Sequence, residues 1–326
     1  MDESASLLIS DVRRPKVLFD TSGINFLNDD PSREIRLRTL RGCCYPRVSF
    51  TALDEVAGTP EAYRRRQLLE TFLRLQNAGD CLLPFHLLLI NHVQSYSSEE
   101  SYDWSKVDST GYKLEEAIVE FRQDLSDELA AAQGEEIRSS ERRYKGMFET
   151  VRRNLAEVLE GHDSWSLRQF MEFVFKADGS YWGTAAGLMT RALTAEGEQP
   201  SATSEADSLA ETAETFSSTV RREFSAQEAR EFASECPPFR AMLLGIARSE
   251  FSRAHDKSLN REQRRKAAGR IDTYSSIYLP YCRMFVTSDR GQFELLSYVS
   301  KQLAAETEVV MYDRLWEYLS DPSFRF

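Results

Sequence analysis

The chain has no apolar run long enough for a membrane span. Its longest candidate, residues 81–90, carries Pro84 and His86 and falls far short of the ~20 residues required. The start, Met1-Asp2-Glu3-Ser4, lacks a basic segment leading into an apolar one, so no signal peptide is expected. Histidine is scarce: His86, His92, His162 and His255 stand at no ligand spacing and are expected to be structural or exposed. The five cysteines include one adjacent pair, Cys43-Cys44, and three scattered residues, with no C-x-x-C. That argues against zinc and against a disulfide framework, and for reduced thiols in a cytoplasmic setting, with core filling favoured over a redox pair. There is no G-x-x-x-x-G-K loop, and hence no support for P-loop chemistry. Nor is there an acidic pair on an earlier strand with a late lysine, as a phosphoacceptor receiver would need. Positive charge is in deficit, 41 Lys and Arg against 52 Asp and Glu. The net charge of -11 argues against bulk nucleic-acid binding, but a local basic face can coexist with it.

What is present is strand–helix alternation at both ends of 326 residues, enough chain for one large or two modest domains. Residues 16–19 read as a buried strand that runs into Asp20-Thr21-Ser22 and a helix near 23–29. A second helix follows Asp30-Pro31 and ends near Gly42. Residues 47–50 read as a strand, with Thr51 and Asp54 as a capping box that puts Glu55 in the first helical turn. Leu68, Leu69, Phe72, Leu73 and Leu75 mark a longer amphipathic helix. Residues 97–111 are polar, and 112–257 are helical in period almost throughout, with a Ser/Thr/Glu/Gly stretch at 195–208 expected as a linker. Residues 259–279 read as one helix up to Pro280. Then come a strand at 283–287 ending at Ser288-Asp289, a helix at 293–303, a strand at 308–312 and a final helical turn. The pattern implies an α/β fold with a parallel sheet. Its core is divided into 1–96 and 258–326 by an all-helical insertion at 97–257.

In such a sheet the carboxyl ends of the strands form the ligand crevice. Asp20 and Asp289 follow strands, Glu55 starts the helix after a strand, and Asp272 lies on the helix leading into one. Any single acid in such a place is most simply a helix cap. Four brought to one edge would repel one another and titrate upward unless a cation lay among them. With oxygen donors alone, that cation would be hard, Mg²⁺ or Mn²⁺, and water activated against a phosphodiester is the fitting chemistry.

These residues resemble a family. Lys16-Val17-Leu18-Phe19-Asp20-Thr21-Ser22, Ser49-Phe50-Thr51-Ala52-Leu53-Asp54-Glu55, Asp272 on its helix and Phe285-Val286-Thr287-Ser288-Asp289 look like the four acidic motifs of PIN-domain nucleases. The order agrees, as does the spacing of about seventeen residues between the last two acids, and the strand at Val309-Val310-Met311 lies where that fold has its last. The resemblance covers about a third of the chain, roughly 15–58 and 259–313. It implies an α/β/α sandwich, a Mg²⁺- or Mn²⁺-dependent nuclease acting on RNA more often than DNA, and Asp20, Glu55, Asp272 and Asp289 as catalytic metal ligands. Thr21, Ser22 and Ser288 would support them. The helical insertion departs from the compact members, including toxins of toxin–antitoxin pairs. The rival reading is a non-catalytic PIN-like module whose insertion binds a scaffolding or inhibitory partner. Arg261, Arg264, Arg265, Lys266 and Arg270, ahead of Asp272, form a basic face that would position phosphates. The alternative is a solvated face that balances the chain's acids.

Overall fold

The computed structural model describes residues 14–97, 102–110, 126–147, 213–214, 217, 222–255, 269–303 and 305–320. The apolar stretch at the start becomes β1 (Lys16–Phe19), followed by α1 (Thr21–Asp29), α2 (Arg33–Cys43), β2 (Tyr45–Ser49), α3 (Phe50–Ala57), α4 (Ala62–Gln76), β3 (Asp80–Leu82) and α5 (Phe85–Ser95). The middle of the chain contributes α6 (Asp127–Met147), α7 (Ala226–Glu235) and α8 (Pro237–His255). The chain then returns to the sheet through α9 (Arg270–Tyr274), a 3-10 segment (Ser275–Tyr281), β4 (Met284–Thr287), α10 (Arg290–Gln302), β5 (Glu308–Met311) and α11 (Tyr312–Ser320). Among the described residues the five named strands pair in parallel, in the order β3-β2-β1-β4-β5, so the fold is α/β and β1 sits at the centre of the sheet.

Side chains alternate across each strand, and both faces of the sheet are covered. Val17, Phe19, Val48, Met284 and Val286 pack with α1 to α4 and α11, through Ile24, Leu27, Leu53, Phe72 and Trp316. Leu18, Leu82 and Phe285 pack on the other side with Phe232 of α7, Phe239 and Leu243 of α8, and Leu296 of α10. Helices α7 and α8 fall inside the stretch expected as an insertion, yet they supply one layer of the sandwich. Phe232 and Phe239 are fully buried there.

Several expected boundaries move. The cap of α3 is Ser49, whose Oγ accepts from Ala52 N at 3.2 Å, instead of Thr51. The Thr51 hydroxyl is engaged with Tyr278 Oη at 2.9 Å. Starting at Phe50, the helix carries Glu55 in its second turn. β3 was not expected from the sequence, because three residues are too few to show a period. The expected continuous helix at 259–279 lies outside the described residues until 269. From there it is a short α-turn that tightens into the 3-10 segment, which runs through Pro280. Thr273 Oγ1, Ser275 Oγ and Ser276 Oγ donate to the carbonyls of Gly269, Ile271 and Thr273 at 2.7–2.9 Å. Such back-bonding by hydroxyls bends helices.

Two glycines test this packing. A Cβ on Gly79, just ahead of β3, would lie 1.5 Å from the Pro46 carbonyl oxygen, a backbone atom. Gly79→Ala is expected to cost on the order of 3 kcal/mol or more. Gly42, near the end of α2, has nothing within 4 Å of such a Cβ, and Gly42→Ala is expected to gain about 0.5–1 kcal/mol. Urea denaturation of the two variants checks both signs.

No helix among the described residues is long and apolar enough to cross a membrane. All cysteines are free; Cys44 is buried among apolar side chains, while its neighbour Cys43 is exposed and does not fill the core. His92 is structural, as expected: it is fully buried, with Nδ1 2.7 Å from Tyr102 Oη and Nε2 hydrogen-bonded to Tyr281 Oη. Burial lowers its pKa to about 4.

Candidate functional site

The carboxyl ends of β1, β2 and β4 meet where the chain turns into α1, α3 and α10. Asp20 caps α1, its Oδ1 accepting from Gly23 N at 2.6 Å. Ser22 Oγ lies 3.0 Å from each Asp20 carboxylate oxygen and accepts from Ser288 N at 2.7 Å and Asp289 N at 3.2 Å. One hydroxyl thus ties the end of β1 to the end of β4. Thr287 Oγ1 adds a contact to Asp20 Oδ2 at 3.0 Å and is held by Gln292 Oε1 at 2.6 Å. On the neighbouring helix, Glu55 Oε2 accepts from Thr21 Oγ1 at 2.5 Å. Asp20, Thr21, Glu55, Ile271 and Gln292 line a cavity of about 10 Å³, close to the space of one water.

Both acids keep some exposure as residues, yet their carboxyls are ringed by protein. Burial is the chief reason that Asp20 is raised to about 7, against hydrogen bonds from Gly23, Ser22 and Thr287 that pull it down. The negative charge of Asp272 raises it further. Glu55 is raised to about 8, again chiefly by burial, with Asp272, Asp20 and Glu141 adding repulsion. Among the described residues no cation is a main influence on either. The upward titration expected of clustered acids is therefore present for Asp20 and Glu55, with Asp272 contributing charge to both.

Asp289 stands differently. It is exposed, and its Oδ1 caps α10 by accepting from Gln292 N at 2.8 Å. It lies on the same edge as Asp20, but it is not among the charges that shift Asp20 or Glu55. Ser288 touches Ser22 through its backbone, while its own Oγ is buried without a partner. Thr287 and Gln292 fill the supporting role expected of Ser288. Strand-end alternation pointed to hydroxyls here but not to which one faces Asp20. Glu141, on α6, is an acid the sequence did not single out. Its Oε1 accepts from Ile271 N at 3.4 Å, next to Asp272, whose Oδ2 accepts from Gly269 N at 2.7 Å. Arg261, Arg264, Arg265 and Lys266 lie outside the described residues, as does the side chain of Arg270.

The donor chemistry fits a hard cation: oxygen alone, three mutually repelling carboxyls and a fourth acid beside them. Among the described residues, however, no three His, Cys, Asp or Glu side chains converge closely enough to hold one ion as they stand. Ser22, Thr21 and Gly269 each hold one of the acids in its own hydrogen bond.

Ser22→Ala removes the link between the two strand ends and leaves Ser288 N without its acceptor. A loss of about 1–3 kcal/mol is expected in denaturant melts. Ser22→Thr, which keeps the hydroxyl, is expected to recover most of it.

Compared with known proteins, the chain matches no protein-family model, no curated protein and no solved structure.

Proposed function

We propose that this chain is a PIN-like, Mg²⁺- or Mn²⁺-dependent nuclease that hydrolyses phosphodiester bonds, with RNA as the favoured substrate and DNA the alternative. The observation that carries the reading is the group of Asp20, Glu55 and Asp272 at the strand ends: Asp272 raises the pKa of both Asp20 and Glu55, Asp20 adds to the rise of Glu55, and no cation of the described residues is among the main influences on either. The parallel sheet with helices on both faces supports it as well.

Asp20, Glu55 and Asp272 would hold the metal, which supplies a water of lowered pKa and neutralises charge on the phosphate. Thr21 and Ser22 fix the carboxylates of Glu55 and Asp20. Asp289, at the rim, would take an outer place, and Glu141 would add negative charge beside Asp272. The basic face at 261–270 would position the phosphates of the strand. The remainder of 97–257 would serve as a docking surface for substrate or a protein partner.

The test is cleavage of end-labelled RNA and DNA with Mg²⁺ or Mn²⁺, in wild type and in Asp20→Asn and Glu55→Gln. Metal-dependent products that fall at least about 100-fold in both variants are expected. No cleavage of either polymer with either metal would contradict the proposal. A second reading, a non-catalytic PIN-like module, is favoured by the separation of the carboxylates and by the capping role of Asp289. It requires that no metal bind in a manner dependent on Asp20.

A further inference from the structure

We propose that Cys43 and Cys44 form a reversible redox site: exposed Cys43 reacts with a small disulfide of the glutathione type, and buried Cys44 displaces it to close a disulfide between the two neighbours. The pair precedes β2 at the end where the strands begin, away from Asp20. The inference does not depend on whether the acidic edge cuts nucleic acid.

The two thiols are placed differently because the chain leaves α2 between them. Cys43 is the last residue of the helix and stays on its exposed side. Cys44 is already extended, its N–H donating to the Leu40 carbonyl at 2.9 Å. Its side chain joins the core with Val17, Leu37 and Leu40 and is 1% exposed. Even so, the two Sγ atoms lie 3.5 Å apart, too close for another atom to stand between them. An accessible thiol beside a second one that can resolve it is the usual layout of a redox-sensing cysteine.

The other thiols do not compete. Cys81, Cys236 and Cys282 are buried, and burial pushes each of them up. Buried thiols in such surroundings are inert. Cys43 is shifted the other way, chiefly by the hydrogen bond that the Cys44 thiol offers it, with the Arg14 charge adding to the effect. Its own bond to the Thr39 carbonyl, at 2.9 Å, works against this by favouring the protonated form.

The chemistry is two exchanges. The Cys43 thiolate attacks one sulfur of the small disulfide, forming a mixed disulfide and releasing one thiolate. The Cys44 sulfur then attacks Cys43 Sγ, expelling the second small thiolate, which takes up the Cys44 proton. The protein loses two electrons and two protons, and one small disulfide becomes two thiols. Closure brings the sulfurs from 3.5 Å to about 2.05 Å. Adjacent Cα atoms are about 3.8 Å apart, below the usual span of a disulfide, so the bond is strained. Strained, exposed disulfides are the easily reduced ones, which makes this bond reversible and not a structural staple. Closure also draws Cys44 out of its core packing, so the oxidised protein is expected to melt at a lower temperature.

The test is to treat the reduced full chain with oxidised glutathione and follow it by intact mass and peptide mapping. Wild type is expected to pass through a glutathione adduct on Cys43 and to end with two hydrogens lost, both thiols blocked and the other three free. Reduced glutathione in about tenfold excess is expected to reopen the bond. In Cys44→Ala, and equally in Cys44→Ser, the adduct on Cys43 is expected to accumulate as the final product. In Cys43→Ala no adduct is expected. A stable glutathione adduct as the end product in wild type, or no reaction at Cys43, would overturn the proposal. A closed bond that resists reduced glutathione would overturn its reversibility.

Discussion

Replacing Asp20 by asparagine is expected to stabilise the protein at pH 8 in the presence of a chelator. The carboxyl titrates near 7 in the fold against an ordinary value of 3.8, chiefly because burial penalises its charge. Between those values the folded chain holds a proton that the unfolded chain has lost. Stability therefore falls as pH rises from about 4 through 7, and the full penalty is present above that. At about 1.4 kcal/mol per pH unit the shift corresponds to roughly 4 kcal/mol, an upper value because the residue keeps some exposure. Asparagine removes the charge and can still cap α1 by accepting from Gly23 N. A gain of about 2–4 kcal/mol is expected at pH 8, shrinking toward zero near pH 4, in thermal or urea unfolding at the two pH values. Equal destabilisation at both would mean that Asp20 serves only as a cap.

The second large effect concerns the metal. In wild type, Mn²⁺ is expected to stabilise the fold strongly at pH 8, by about 2.7 kcal/mol at a hundredfold excess over Kd. The ion would offset the burial penalty that chiefly raises Asp20 and Glu55, and the repulsion that adds to it. At pH 7 these carboxyls are partly protonated, so binding must displace protons. Calorimetry in buffers of different ionisation enthalpy is expected to show net proton release at pH 7 that fades above about pH 9, beyond the Glu55 value of about 8. If nuclease activity follows, its rate should climb with pH through the same range. In Glu55→Gln both the stabilisation and much of the proton release should be lost.

The parts of the fold that a linear reading recovered are those whose signals are local. β1, β4 and β5 are apolar runs, the first two followed by the capping acids Asp20 and Asp289, and each lies where the sequence put it. Asp20 and Asp289 come to one edge because β1 and β4 are neighbours in the sheet. β3, only three residues long, has no period to read. The cap of α3 depended on which of two hydroxyls reaches Ala52 N, and Tyr278, more than two hundred residues away, had already claimed Thr51. Glu141 has no local mark at all. It is one acid in a charged helix and matters through its place beside Ile271 and Asp272. Likewise, nothing in the period of α7 and α8 distinguishes helices of a separate block from helices that cover Leu18 and Phe285.

Whether the acidic edge is a metal site is answered most directly by counting bound Mn²⁺ by electron paramagnetic resonance at pH 8, in wild type and in Asp20→Asn. The expected result is saturable binding of one or two ions in wild type that disappears in the variant while the variant remains folded. No saturable Mn²⁺ in wild type, or the same binding in both proteins, would contradict it.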